Sequence, residues 1–206
     1  MQEIKDYINL EENNFLSLFI EPKMIINSTY LTDNEELYLK KITNENRKQE
    51  FIQIRELRNK TIGKLEIDYN ANGKPFLVNS KEYISISHSR NFIGILKAPF
   101  DVGLDIEEIN ERITKIKNRF LNEEELKLFD SSIENLTIAW TLKEALFKLC
   151  NRNGVDFRKE LLIEGKTDDG YNCKMFDLDG WRLVKLKTVR KENLIISYNF
   201  EPSMLI

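Results

Sequence analysis

At Gly63 the spacing of apolar residues changes from a helical period to a strand period. The same change recurs later in the chain, and this pattern confines the fold to the α+β class. Phe51, Ile54, Leu57 and Ile62 lie near one face of a helix over about residues 44–62, because residues three and four apart meet on a helix surface. Arg47, Lys48, Arg55 and Arg58 are placed on its other faces, and Gly63 supplies a C-terminal stop. Beyond it, Leu65–Tyr69, Phe76–Val78, Tyr83–Ser87, Phe92–Leu96 and Val102–Glu107 read as short strands. Turn residues such as Asn72-Gly73-Lys74-Pro75 separate them.

Helix signals then return. Ahead of the long helix, Thr32 with Glu35 forms a capping box. Asn122 caps a helix with Glu123, Glu124 and Glu125 in its first turn, and Leu121 and Leu126 stand as a hydrophobic staple. A further helix is expected over about residues 136–150, followed by strands at Tyr171–Phe176, Trp181–Val189 and Leu194–Phe200. Asp169-Gly170 and Asp179-Gly180 supply hairpin turns between them. The stretch before Leu31 yields no clear element. No Pro/Gly/Ser-rich linker divides the chain. The expected organisation is two similar α/β subdomains, residues 1–100 and 101–206, each a small, mostly antiparallel sheet packed with helices. The seam falls near Pro99-Phe100-Asp101, and the residues themselves show no internal repeat.

Of 206 residues, 41% are hydrophobic and 32% charged, a balance that fits a globular chain able to bury a core without staples. The net charge of −3 supplies no basic field for nucleic acid, so any anion site must be local. With two cysteines, Cys150 and Cys173, and one histidine, no zinc site can be assembled from Cys and His. Two free thiols in a reducing cytoplasm are expected. The opening MQEIKDYINL lacks the pattern of a signal peptide, and no run of 18 apolar residues predicts a membrane span.

Three clusters carry chemistry. In Gly103-Leu104-Asp105-Ile106-Glu107, strand period two puts both carboxylates on one face. Side by side they repel, so either solvent screens them or a cation such as Mg²⁺ sits between them. A solvated strand edge is the plainer alternative. In Trp140-Thr141-Leu142-Lys143-Glu144-Ala145-Leu146-Phe147-Lys148, the residues Ile138, Leu142, Ala145, Leu146 and Leu149 form a buried helical stripe. Glu144 and Lys148, four apart, share another face. They make either a surface ion pair or a metal acid and a phosphate lysine. In Ser85-Ile86-Ser87-His88-Ser89 the sole histidine ends a strand, as a structural residue or a binding one.

Taken in order, Gly73-Lys74-Pro75, Ser87-His88-Ser89, Gly103-Leu104-Asp105-Ile106-Glu107 and Trp140-Thr141-Leu142-Lys143-Glu144-Ala145 with Lys148 closely resemble the 4′-phosphopantetheinyl transferase superfamily. The likeness is to its longer, monomeric, surfactin-synthetase-activating (Sfp) type, and it spans about residues 47–163. The GxDxE strand and the WxxKExxxK helix are both complete.

The resemblance implies two halves with pseudo-twofold symmetry, coenzyme A bound in the cleft where they meet, and a monomer. It implies Mg²⁺, or Mn²⁺ in its place, on Asp105, Glu107 and Glu144. Glu144 is then the general base, with Asp105 and Lys148 completing the catalytic set, Lys148 by stabilising the developing diphosphate charge. Arg47, Lys74, Ser87, His88, Lys143 and Lys148 would bind coenzyme A. Lys23, Lys40 and Lys41 all stand open as the grip on its 3′-phosphate. The activity implied is transfer of the 4′-phosphopantetheine arm of coenzyme A to a serine of an apo acyl or peptidyl carrier protein, with release of 3′,5′-ADP, in fatty-acid biosynthesis or secondary metabolism. Arg112–Phe120 alternates basic and apolar residues and could dock a carrier helix. The rival readings are a non-catalytic module binding coenzyme A or a carrier, and a different Mg²⁺-dependent enzyme that cleaves diphosphates.

Overall fold

The computed structural model describes the backbone of residues 8–12 and 16–206, and side chains from Leu16 onward. The chain divides into two compact units, one ending at Pro99 and the other beginning at Phe100.

The first unit contains β1 (Ile8–Glu12), β2 (Leu16–Pro22), α1 (Asp33–Lys41), α2 (Glu45–Thr61), β3 (Ile67–Tyr69), β4 (Pro75–Leu77), β5 (Tyr83–His88) and β6 (Phe92–Ala98). Four strands pair antiparallel in the order β1-β2-β6-β5, and β3 pairs β4 separately. The sequence left β2 unassigned for a physical reason. Leu16-Ser17-Leu18-Phe19-Ile20 is buried almost throughout, so it lacks the alternation that marks a half-buried strand. Helix α2 packs on β2 and β6. Ile54, Leu57, Ile67, Ile84, Ile93 and Ile95 form the core between them.

The second unit contains β7 (Leu104–Glu108), a 3-10 turn at Glu111–Lys115, α3 (Lys117–Phe120), α4 (Glu123–Leu128), α5 (Ile133–Leu149), β8 (Leu161–Lys166), β9 (Tyr171–Asp177), β10 (Gly180–Lys191), β11 (Leu194–Asn199) and β12 (Met204–Leu205). The sheet runs β7-β11-β10-β9-β8, with β12 on β10, and every pairing is antiparallel. Helix α5 lies on β7 and β11. Its apolar face, including Leu142, Ala145, Leu146 and Leu149, closes the core. The buried thiols Cys150 and Cys173 are free. Two small units, each an antiparallel sheet packed with helices, give the α+β architecture expected of the sequence.

Both units use one buried device. In the first, Glu35 completes a capping box with Thr32 and is buried. Its Oε1 meets Arg58 Nη1 at 2.6 Å and Arg55 Nε at 3.2 Å, and accepts the Ile67 backbone N–H at 3.1 Å. In the second, Glu125 completes the box with Asn122. Its Oε1 meets Lys143 Nζ at 2.5 Å and accepts the Ile163 N–H at 2.8 Å. Arg55 and Lys143 occupy the same position in two helices of equal length, 17 residues. Arg55 and Arg58, expected on solvent faces of α2, are therefore interior. Glu35 and the carbonyls of Ile67, Leu65 and Tyr30 supply the partners a buried guanidinium requires.

Removing one partner of such a pair leaves an uncompensated buried charge. Glu35→Ala is therefore expected to destabilise the first unit by about 3–5 kcal/mol, against less than about 0.5 kcal/mol for the exposed Glu36→Ala. Urea unfolding followed by circular dichroism checks this, and equal losses in the two variants would contradict it.

Candidate active site

Gly103, Asp105 and Glu107 share one face of the chain leading into and along β7, by the two-residue period of a strand. Helix α5 crosses that face, and Gly103 sets how closely. A Cβ built at Gly103 would stand 2.1 Å from the Ala145 carbonyl oxygen and 3.2 Å from Leu149 Cβ. No side chain fits there. Gly103 N donates to Asn199 Oδ1 at 2.8 Å, and Asn199 Nδ2 donates to the Asp101 carbonyl at 2.9 Å. The strand is thereby pinned where the helix bears on it.

The close crossing brings the acids of the strand to the polar stripe of the helix. Trp140, Glu144 and Lys148 are four apart and lie along one helical face. Lys148 Nζ meets Asp105 Oδ1 at 2.8 Å, and Trp140 Nε1 donates to Glu107 Oε1 at 3.1 Å. Asp105 is 5% exposed, which removes the alternative of a solvated strand edge. Asp105 Oδ2 is buried and makes no hydrogen bond.

Burial here works against charge. Glu107 is pushed up to about 7, first by desolvation and then by the negative charge of Asp105, against a smaller opposing effect from the Trp140 N–H. Glu144 is likewise pushed up to about 7, by desolvation first and then Asp105, with Lys148 opposing. Lys148 is the lysine that offsets them. Three carboxylates thus crowd a partly dry site with more negative charge than one ammonium balances.

All-oxygen donors, excess negative charge and partial burial fit a hard divalent ion in chemistry and in charge. Among the described residues no three His, Cys, Asp or Glu side chains are drawn together tightly enough to cage an ion as they stand; Lys148 takes the cation's part on Asp105 instead.

A sequence model of the 4′-phosphopantetheinyl transferase superfamily matches residues 101–196, which contain both motifs. Among relatives, the chain is 34% identical over 84 residues to the 4′-phosphopantetheinyl transferase gsp of Aneurinibacillus migulanus, a match covering 38% of this chain and 35% of that protein.

The phosphopantetheinyl transferase resemblance also singled out a basic set in the first unit. His88 closes β5 with its side chain 53% exposed and its Nδ1 3.7 Å from Glu50 Oε1. Lys23 Nζ meets the same Glu50 oxygen at 2.6 Å. Of the three lysines left open for a 3′-phosphate, Lys23 is thus the one placed beside His88, whereas Lys40 and Lys41 lie in the last turn of α1. Ser87 is buried opposite Gly94 of β6. Arg47 is exposed in the first turn of α2, and Lys74 is half-buried at the turn before β4.

One member of the expected coenzyme-binding set is overturned. Lys143 is fully buried, its ammonium held by Glu125 Oε1, by the Phe157 carbonyl at 2.8 Å and by the Leu161 carbonyl. With its donors committed inside the unit, it has none for a phosphate. The sequence concealed this because Lys143 immediately precedes the site residue Glu144, and only the turn of the helix, about 100° per residue, sends them to different faces. Sequence reasoning also passed over Asn199, for which no motif gives a signal, and Trp140 as a donor, whose place in the WxxKE run was a signal not used.

Gly103→Ala should force β7 and α5 apart, lowering stability by about 1–3 kcal/mol in thermal or urea unfolding; an unchanged value would contradict the close approach. A second expectation follows from the raised glutamates. Between pH 4.5 and about 7 the native state holds protons that the unfolded state has released. Their contribution is therefore fully present below about pH 4.5 and is lost as pH rises through about 7. Stability measured without divalent ions should decline across that window, and a Glu107→Gln, Glu144→Gln double variant should flatten the decline. The carboxyls held below their ordinary value, such as Glu56 and Glu160, act only at lower pH. An identical slope in the double variant would refute the assignment.

Proposed function

We propose that this protein is a 4′-phosphopantetheinyl transferase that moves the phosphopantetheine arm of coenzyme A onto a serine of an apo acyl or peptidyl carrier protein. The single observation that carries this reading is the gathering of Asp105, Glu107, Glu144 and Lys148 by the close crossing of α5 over β7. The match of residues 101–196 to the superfamily model, and the name of the relative matched over 35% of its length, support it.

In this reading Asp105, Glu107 and Glu144 would hold Mg²⁺, or Mn²⁺ in its place. Bound there, the ion would neutralise charge on the diphosphate of coenzyme A. Glu144 receives the proton of the carrier serine, directly or through water. The serine oxygen bonds to the phosphorus that carries the pantetheine arm, the bond from that phosphorus to the bridging oxygen breaks, and 3′,5′-ADP leaves with the electron pair. Lys148, one residue from the end of α5 and paired with Asp105, would turn to the departing diphosphate and stabilise its growing charge. Arg47, Lys74, Ser87 and His88 bind the phosphates and adenine end of the coenzyme, with Lys23 joining His88 through their shared partner Glu50.

The carrier would dock on the segment from Arg112 to Phe120. Ile113 and Phe120 anchor it inside the second unit while Arg112, Lys115 and Arg119 stay exposed, a basic face suited to an acidic partner. We place the reaction in the cytoplasm, where the free thiols Cys150 and Cys173 are at home.

The test is to incubate the protein with Mg²⁺, coenzyme A and an apo carrier and weigh the carrier by mass spectrometry. A phosphopantetheine-sized gain with release of 3′,5′-ADP is expected. Asp105→Ala and Glu144→Gln should abolish the gain while remaining folded, and His88→Ala should raise the KM for coenzyme A more than it lowers kcat. Coenzyme A binding without any gain of carrier mass would favour the non-catalytic module, and near-wild-type turnover in either acid variant would overturn the metal assignment.

A further inference from the structure

The lysine of the WxxKE run points away from the acids, yet its contacts lead back to them. Lys143 Nζ donates to the Phe157 carbonyl at 2.8 Å, and Glu125 holds the ammonium from the other side at 2.5 Å. This fixes the otherwise irregular segment between α5 and β8 at Phe157. The Phe157 ring stacks on Trp140 with centroids 5.9 Å apart and planes 21° from parallel, while Phe120 meets the same indole edge-on at 5.0 Å. Phe147 packs against Phe157 from behind at 5.4 Å. Held between two rings, the indole has little freedom to rotate. Its N–H, which can only donate, is aimed at Glu107 Oε1 at 3.1 Å.

We propose that Trp140 is a positioning residue that orients Glu107 for the metal ion, and that Lys143 and Phe157 act through Trp140 rather than on any ligand. The inference rests on the reading of Asp105, Glu107 and Glu144 as the metal-binding set. Glu107 lies on an edge strand of its sheet and repels Asp105 on the same face, so without a donor its carboxylate would swing outward. The indole N–H removes that freedom at a cost already met by the ring packing. Partners of this kind typically change metal affinity by about 10–100-fold when lost. A phenylalanine at the same place keeps the stacking area and loses only the donor, which makes the role separable from core packing.

The experiment is a Mn²⁺ titration of the whole protein followed by the electron paramagnetic resonance signal of the free ion, with circular dichroism to establish folding. Trp140→Phe is expected to weaken Mn²⁺ binding about ten-fold, and excess Mn²⁺ should restore most of kcat. Phe157→Leu keeps the indole but removes its stacking partner, and should give a smaller loss in the same direction. A spectroscopic readout comes from the Trp181→Phe background. Trp181 packs on Phe176, away from the acids, so the remaining emission reports Trp140 and should be quenched by Mn²⁺ over the same concentration range as binding. Wild-type affinity in folded Trp140→Phe, or binding without quenching, would overturn this inference while leaving the metal set intact. Failure of the unsubstituted protein to bind Mn²⁺ would overturn the metal set and this inference together.

Discussion

Everything in the site depends on how near α5 comes to β7. At Gly103 the helix backbone occupies the space a side chain would need, and that approach brings Lys148 to Asp105 and Trp140 to Glu107. A wider crossing would draw Lys148 and Trp140 away from the acids of the strand and let in water, which screens their mutual repulsion. The close crossing turns an ordinary amphipathic strand and an ordinary amphipathic helix into a partly dry cluster of like charges.

The two units show how environment alone decides the fate of such groups. Glu56 and Lys60 occupy in α2 the positions that Glu144 and Lys148 occupy in α5. In the first unit Glu56 accepts the Thr29 hydroxyl at 2.6 Å and pairs with Lys60 at 3.2 Å, and its carboxyl is held below the ordinary value, chiefly by the Thr29 hydrogen bond. In the second unit Glu144 is desolvated, and the negative charge of Asp105 adds to that, so it is pushed the other way. The same residue types at the same helical positions are satisfied in one setting and left under tension in the other. Displacement of this kind is common at functional sites and also accompanies structural burial, as at Lys143.

Much of this was legible beforehand. The period change at Gly63 announced the architecture, the caps at Thr32 and Asn122 set helix starts that the structure keeps, and the GxDxE and WxxKExxxK runs contain the two pairs that meet across the crossing, Asp105 with Lys148 and Glu107 with Trp140. What stayed hidden has physical causes. The strand at Leu16–Pro22 is buried on both faces and so carries no alternation. Arg55, Arg58 and Lys143 look like surface charges in one dimension. Their burial depends on Glu35 and Glu125, distant acids whose N-cap duties are readable but whose second role as buried counter-ions is not. Asn199, nearly a hundred residues from the Gly103 N–H it accepts, is reachable only through the sheet pairing of β11 with β7.

The central proposal is that Asp105, Glu107 and Glu144 would together hold a single divalent ion that neutralises charge on the diphosphate of the coenzyme. Crystals grown with Mn²⁺ and coenzyme A, with anomalous scattering collected at the manganese edge, test it most directly. The account predicts one anomalous peak in contact with carboxylate oxygens of all three residues and with the diphosphate. A bound coenzyme whose diphosphate lies on lysines alone, with the peak elsewhere or no peak, would contradict it.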